Sequence, residues 1–239
     1  MSTPAELLQQ AVDYQNPEPW YRGNNAGKHP LTWVESETGL RHPRRAYLPN
    51  GELYRRHIPS LGMDFSLRRL HPELDLERLT KWMNDPRIAA FWEQDWPREK
   101  QAEYIEKTLT DPHKQPVIGC FDDLPFGYFE IYWALEDRLG PYYDADPFDR
   151  GLHLLVGETE YLGAKYFRAW INSICHFMFL DDSRTRRLVG EPRADNTALL
   201  KYLADSYGWK KIKEFDFPHK HAALLVCERD DFFAQADFS

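Results

Sequence analysis

Beyond residue 60 the apolar positions fall into two rhythms, one of period two and one of period three to four. FSLRRL (65–70) alternates and predicts a strand. Leu76, Leu79, Trp82 and Met83 recur at helical spacing within DLERLTKWMN (75–84), and Pro86 stands just past its end. Pro97 opens a second helix, REKQAEYIEKTLT (98–110). PVIGCF (116–121) and FGYFEIYWA (126–134) read as strands, with Leu124-Pro125 in the turn between them. A loop rich in Pro, Asp and Tyr, GPYYDADPFDRG (140–151), leads into the short apolar strand GLHLLVG (151–157). Phe167, Trp170, Ile171, Ile174, Phe177 and Met178 then mark an amphipathic helix. RLVGE (187–191) is a strand, and Asp195 or Asn196 caps a helix carrying Leu199, Leu200 and Leu203. Gly208 follows, and KIKEFDF (211–217) and HAALLVCE (221–228) are late strands.

This order predicts a mixed α/β (α+β) domain whose first half is mostly antiparallel. The strand–helix–strand piece from 151 to 191 predicts a parallel crossover, because the helix supplies the return path. Residues 1–60 differ. They hold seven of the 17 prolines, with polar stretches such as RGNNAGKHP (22–30) between them. They predict an irregular arm with short strands near LTWV (31–34) and RRAYL (44–48), followed by a domain over 61–239.

Composition narrows the function classes. A hydrophobic share of 42% with 15% aromatics suffices for a real core. The net charge of −8, with no block of five basic residues, argues against a nucleic-acid binder. No apolar run approaches the roughly 20 residues that span a bilayer. MSTPAELLQQ lacks the pattern of a secretory signal, so a cytoplasmic protein is expected. Cys120, Cys175 and Cys227 are too scattered for a disulfide framework or a zinc knuckle, and no metal site is expected. Cys175, inside the long helix, reads as a buried thiol rather than a nucleophile.

Four segments carry a resemblance: KWMNDPRIAAFWEQDWP (81–97), YFEIYWALEDRLGPYYDADPFDRGLH (128–153), RRLVGEPRADN (186–196) and FPHKHAAL (217–224). Together they resemble the siderophore branch of the GNAT acyltransferases, enzymes that acylate hydroxylysine or hydroxylated diamines, over about residues 61–228. The resemblance implies a GNAT fold, with a central sheet splayed at the acyl-CoA site and helices on both faces. It implies an acetyl-CoA or succinyl-CoA donor and an N-hydroxy-amine acceptor such as N6-hydroxylysine or an N-hydroxy-diamine. Pathway partners, an N-hydroxylase or a siderophore synthetase, are implied too. The general acyl-CoA loop of the family reads R/Q-x-x-G-x-G/A. Here the stretch is Glu160-Tyr161-Leu162-Gly163-Ala164-Lys165, and only Gly163 fits cleanly.

Transfer from a thioester to nitrogen needs a neutral amine, close approach, and stabilisation of the developing oxyanion and thiolate. A hydroxylamine is already unprotonated at cellular pH, so a base mainly collects the proton as the bond forms. Imidazole, with an ordinary pKa of about 6.5, suits this. His153 is the candidate. A lone histidine in an apolar strand is ordinarily a satisfied core residue, but the resemblance places a catalytic histidine at this position. Glu191 ends the next strand and would face the same cleft if the two strands splay, orienting the imidazole or taking the proton itself. A surface carboxylate is the bland alternative. Leu162, Gly163, Ala164 and Lys165 open a helix whose free amides suit a pyrophosphate. Asn196 matches the family residue that holds the pantetheine arm, and it is equally an N-cap. Trp92, Glu93, Trp96, Tyr132, Trp133 and Tyr142 are the expected acceptor-binding set, with Glu93 or Asp144 for a distant ammonium. His219 and Lys220 read as a solvated turn rather than a donor-carboxylate site. Alternatives from the same fold are acetylation of an aminoglycoside or of a protein N-terminus. A non-catalytic acyl-CoA-binding or carbohydrate-binding module is a different class.

Overall fold

A β-meander and a crossover build one sheet. The computed structural model describes residues 3–23 and 30–238. In chain order the elements are α1 (Pro4–Asp13), β1 (Trp33–Glu35), β2 (Arg41–Pro43), β3 (Glu52–Ile58), β4 (Met63–Arg69), α2 (Pro72–Met83), α3 (Pro86–Trp92), α4 (Arg98–Leu109), β5 (Lys114–Phe121) and β6 (Leu124–Trp133). Then follow β7 (Arg150–Val156), α5 (Ala164–Asp181), β8 (Arg187–Gly190), α6 (Thr197–Ala204), β9 (Trp209–Asp216), β10 (His221–Glu228) and α7 (Arg229–Gln235). The main sheet has the order β3-β4-β5-β6-β7-β8-β10-β9. Strands β3 to β7 pair antiparallel, and β7 and β8 pair parallel, as the crossover predicts. The parallel pairing covers only Arg150 with Leu188 and Gly151 with Val189. From Leu152 onward β7 diverges from β8, which is the splay implied by the resemblance.

Helices cover both faces. On one, α2, α3 and α4 set Leu79, Trp82, Met83, Ile88 and Ile105 against Ile118, Tyr128 and Leu155 of the sheet. On the other, α5 and α7 bring Trp170, Ile174, Phe177, Phe179 and Phe232 against Phe65, Phe129 and Ile131. From Ala169 to Asp181 every residue of α5 is buried, the polar Asn172, Ser173 and His176 included, because the helix lies under the sheet.

Local differences from the sequence reading have physical causes. Pro86 does follow the end of α2, but it is also the first residue of α3, capped by the Asp85 side chain accepting from Arg87 N. Trp92 is therefore the last residue of α3. The β5–β6 turn is Asp122-Asp123, at φ 45° and 63°. Two left-handed residues make the tight hairpin turn that matches strand twist, so Leu124 and Pro125 already belong to β6. RRAYL is not a strand; β2 precedes it at Arg41–Pro43. Within the expected irregular arm, α1 and β3 are regular, and β3 is one edge strand of the main sheet. Most of RGNNAGKHP lies outside the described residues. Among the described residues no helix is long and apolar enough to cross a membrane.

Candidate functional site

In the β6–β7 ladder Glu130 stands opposite His153, and Tyr132 opposite Gly151. Alternate strand residues share a face, so Tyr128, Glu130, Tyr132 and His153 all project toward the α2–α4 side. A Cβ at Gly151 would overlap the Tyr132 ring. Glycine there lets the ring lie over β7, with its centroid 4.6 Å from that of His153. Trp92 comes from the end of α3 and meets His153 edge-on at 6.5 Å. Its indole N–H reaches the Leu154 carbonyl at 3.3 Å.

Glu191 follows β8 directly and is buried. The Tyr132 hydroxyl donates to its Oε2 at 2.9 Å. Its Oε1 lies 3.9 Å from His153 Nε2, 3.4 Å from Arg138 Nη2 and 3.6 Å from Lys220 Nζ. Lys220 Nζ also donates to the Glu191 carbonyl at 2.6 Å. The sheet thus brings His153 and Glu191 into one cleft at the splay.

A residue absent from the sequence-derived set completes the arrangement. Glu130 is 1% exposed in the middle of β6. Its Oε2 pairs with His153 Nδ1 at 3.0 Å and with Lys114 Nζ at 3.2 Å. Its Oε1 accepts from the Tyr128 hydroxyl at 2.8 Å and from the Tyr104 hydroxyl. Burial would raise this carboxyl's pKa, but the bond from His153 and the charge of Lys114 outweigh it and hold the pKa at about 2. The sequence held a signal for it: a carboxylate inside the apolar run FGYFEIYWA is rarely buried without a partner. Its being opposite His153 depends on strand register, which that run does not contain.

An ionised carboxylate only accepts, so Nδ1 carries the proton when the imidazole is neutral. His153 Nε2 is then the acceptor, and it is buried with no hydrogen-bond partner among the described residues. An N–H or O–H group placed at Nε2 would meet the His153 lone pair on one side and Glu191 Oε1 on the other. Burial and the neighbouring Glu191 charge hold the Tyr132 phenol well above its ordinary range, so it stays a donor. Burial pulls the Lys220 ammonium down, against the opposing pull of Glu191.

The other expected residues divide. Tyr132 and Trp92 are at the cleft. Trp96 stands beside Tyr104, with ring centroids 5.8 Å apart, one side chain removed from Glu130. Glu93 is exposed at the left-handed end of α3, and Asp144 is exposed in the loop before β7. Trp133 is not at the cleft. It points to the opposite face, stacked between Arg45 at 4.1 Å and Arg150 at 4.6 Å. Tyr142 packs on Phe215 and Phe217, with ring centroids 5.1 and 4.5 Å away. Lys220, read as part of a solvated turn, is instead folded onto Glu191, while His219 stacks on Phe217 at 5.4 Å.

At the far end of β7 the chain enters α5 through Gly163, at φ 106°, a conformation that favours glycine. Among the described residues no side chain caps this helix, and its first bond is Phe167 N to Gly163 O at 3.0 Å. The amides of Ala164, Lys165 and Tyr166 therefore lack helical partners. The Leu162 amide differs from the expectation, since it already bonds to Thr159 O at 3.2 Å. A Cβ at Gly163 would meet nothing within 4 Å, so the approach to these amides is open. Asn196 caps α6, its Oδ1 accepting from Leu199 N at 3.1 Å.

Comparison with known proteins places this geometry. Residues 71–217 match the family described as acetyltransferase (GNAT) domain. The chain is 47% identical over 201 residues to N(6)-hydroxylysine O-acetyltransferase of Escherichia coli, covering 84% of this chain and 64% of that protein. It is 34% identical over 176 residues to a lysine N-acyltransferase of Mycobacterium tuberculosis, covering 74% of this chain and 83% of that one. Among solved structures, an uncharacterized protein from Bacillus halodurans superposes with a TM-score of 0.71 at 26% identity, over 78% of this chain and 94% of that chain. An aminoglycoside acetyltransferase in complex with coenzyme A and kanamycin gives 0.64 at 22% identity, over 72% and 98%, a likeness of fold. The chain spans less than two thirds of the E. coli relative's length.

Proposed function

This chain belongs to the acetyltransferase (GNAT) family, and we propose that it transfers an acyl group from acyl-CoA to the hydroxylamine nitrogen of an N-hydroxy-amine, giving a hydroxamate for siderophore biosynthesis. The observation that carries the reading is the buried His153 Nε2, unpartnered and 3.9 Å from Glu191 at the mouth of the splay. The name of the E. coli relative supports an N-hydroxylysine acceptor and an acetyl donor, and that of the M. tuberculosis relative supports acylation of a lysine nitrogen. Acetyl-CoA and succinyl-CoA are both proposed donors. The acceptor would be supplied by an N-hydroxylation and the hydroxamate consumed by a siderophore synthetase, with all three steps in the cytoplasm.

In this reading the acceptor nitrogen attacks the thioester carbonyl carbon. A C–N bond forms, and the nitrogen's proton passes to His153 Nε2. Glu191, held by Tyr132, Arg138 and Lys220, stabilises the imidazolium. The C–S bond then breaks, the thiolate leaves, and the proton collected by His153 passes to the sulfur, restoring the thiol and the neutral imidazole. The free amides of Ala164 and Lys165, the open face of Gly163 and the Lys165 side chain hold the pyrophosphate, and Asn196 stands beside the pantetheine arm. Leu162 shapes that loop. Trp92, Trp96 and Tyr132 wall the acceptor slot, and Glu93 binds a distant ammonium at its rim.

The test is thiol release from acetyl-CoA and succinyl-CoA with matched acceptors: N6-hydroxylysine, N-hydroxycadaverine, N-hydroxyputrescine, the unhydroxylated amines and an aminoglycoside. Turnover confined to the N-hydroxy-amines is expected. Turnover on plain amines or the aminoglycoside alone would overturn the proposal.

A further inference from the structure

We infer that Glu130 is a positioning residue of this site: it locks His153 in the Nδ1–H tautomer and so turns the Nε2 lone pair toward the acceptor. The catalytic consequence rests on the reading above; the tautomer does not. Glu130 is a carboxylate in the centre of a buried strand, and all four of its close partners are donors: His153, Lys114, Tyr104 and Tyr128. Nothing else on β6 explains a charge there. The neighbours Tyr128 and Tyr132 contribute phenols, and the ladder itself would be satisfied by any apolar residue.

The donors are also asymmetric. Both tyrosine hydroxyls converge on Oε1, whereas Lys114 and His153 share Oε2. A leucine at this position would remove the acceptor altogether, and Glu191 Oε1, 3.9 Å from Nε2, would be the carboxylate left beside the ring. That moves the imidazole proton to Nε2, where it points at Glu191 and can no longer accept from a substrate. Wrong-tautomer variants of this kind lose turnover while keeping their geometry. A purely structural role, balancing Lys114, would move stability but leave the imidazole tautomer unchanged.

The experiment is nitrogen NMR of the chain labelled with 15N-histidine, at a pH where the imidazole is neutral. The His153 signals are assigned by their loss in His153→Gln. The wild-type chain should show Nδ1 protonated and Nε2 free. Glu130→Leu should shift the proton to Nε2, lower kcat by roughly 100- to 10,000-fold and leave KM for acyl-CoA within about twofold, because the α5 amides are untouched. A wild-type chain with the proton on Nε2 would overturn the inference even if Glu130→Leu fails to fold. A folded Glu130→Leu chain that keeps the Nδ1–H tautomer and full kcat would overturn it as well. A chain that shows the predicted tautomers but acylates no N-hydroxy-amine would sink the activity reading and leave the positioning role standing.

Discussion

At the residue scale the site is a histidine between two carboxylates that do different things. Glu130 is saturated with donors, while Glu191 keeps an oxygen facing Nε2. His153→Ala should therefore lower kcat by about 100- to 10,000-fold with little change in KM for acyl-CoA. Glu191→Gln should lower it less, by roughly 10- to 100-fold, since the base survives. Steady-state kinetics on the folded variants checks both. Equal, near-wild-type turnover would remove both residues from the chemistry. A second histidine gives a pH prediction. His176 Nε2 donates to the Tyr14 carbonyl at 2.7 Å and Nδ1 accepts from the Tyr54 hydroxyl at 2.8 Å, so the ring is neutral. Burial pulls its pKa down to about 3. The unfolded chain binds this proton near the ordinary value of about 6.5. The stabilisation is thus complete above that value and is lost as pH falls toward 3. Between pH 6.5 and 5 denaturant unfolding should weaken by up to about 1.4 kcal/mol per pH unit more than in His176→Gln. Glu130 does not contribute to that slope, because its lowered pKa costs stability only below about 4.5.

At the element scale function follows from where strands part. Pairing of β7 with β8 ends after Gly151 and Val189, and β7 runs on past His153 toward the start of α5 at Gly163. Gly163→Val would strain the φ of 106° and place a branched side chain before the free amides. We expect KM for acyl-CoA to rise about tenfold while KM for the acceptor holds; an unchanged donor KM would move the pyrophosphate elsewhere. The alternation that reveals β6 also separates Tyr132 from Trp133. Adjacent strand residues face opposite sides, so the two could never share one slot. Tyr132→Phe should lower turnover several-fold by freeing Glu191, whereas Trp133→Phe should act on stability instead. Most strands and the crossover were legible because their periodicity is local. Glu130, Arg138 and Lys220 were not placed at the cleft, because register and loop closure join them to His153 only in three dimensions. The helices α1, α3 and α7 escaped the reading too. Proline at Pro4 and Pro86 was taken as punctuation where it opens a helix.

At the scale of the whole molecule, the division into an arm of residues 1–60 and a domain of 61–239 is a proposal that the packing qualifies. Tyr14 meets His176 through its carbonyl, and its hydroxyl accepts from Phe238 N at 2.9 Å. The Tyr21 hydroxyl donates to Asp181 at 2.7 Å. Tyr14 and Tyr21 thus fasten the start of the arm to α5, on the sheet face opposite His153, while Arg45 and Tyr47 bond Glu136 and Thr110 further along. Deleting residues 1–22 should lower Tm by several degrees and leave KM for the acceptor within twofold; a rise in acceptor KM without loss of stability would instead make the arm part of the binding site. The central claim concerns which atom is acylated. An N-acylated hydroxylamine is a hydroxamate and forms a coloured complex with ferric iron, whereas an O-acylated one does not. The direct measurement is to incubate the chain with acetyl-CoA and N6-hydroxylysine, then record product mass and the ferric complex on the same sample. The account predicts a mono-acetylated product that binds ferric iron, absent with His153→Ala. A product of the same mass that gives no ferric complex would contradict it.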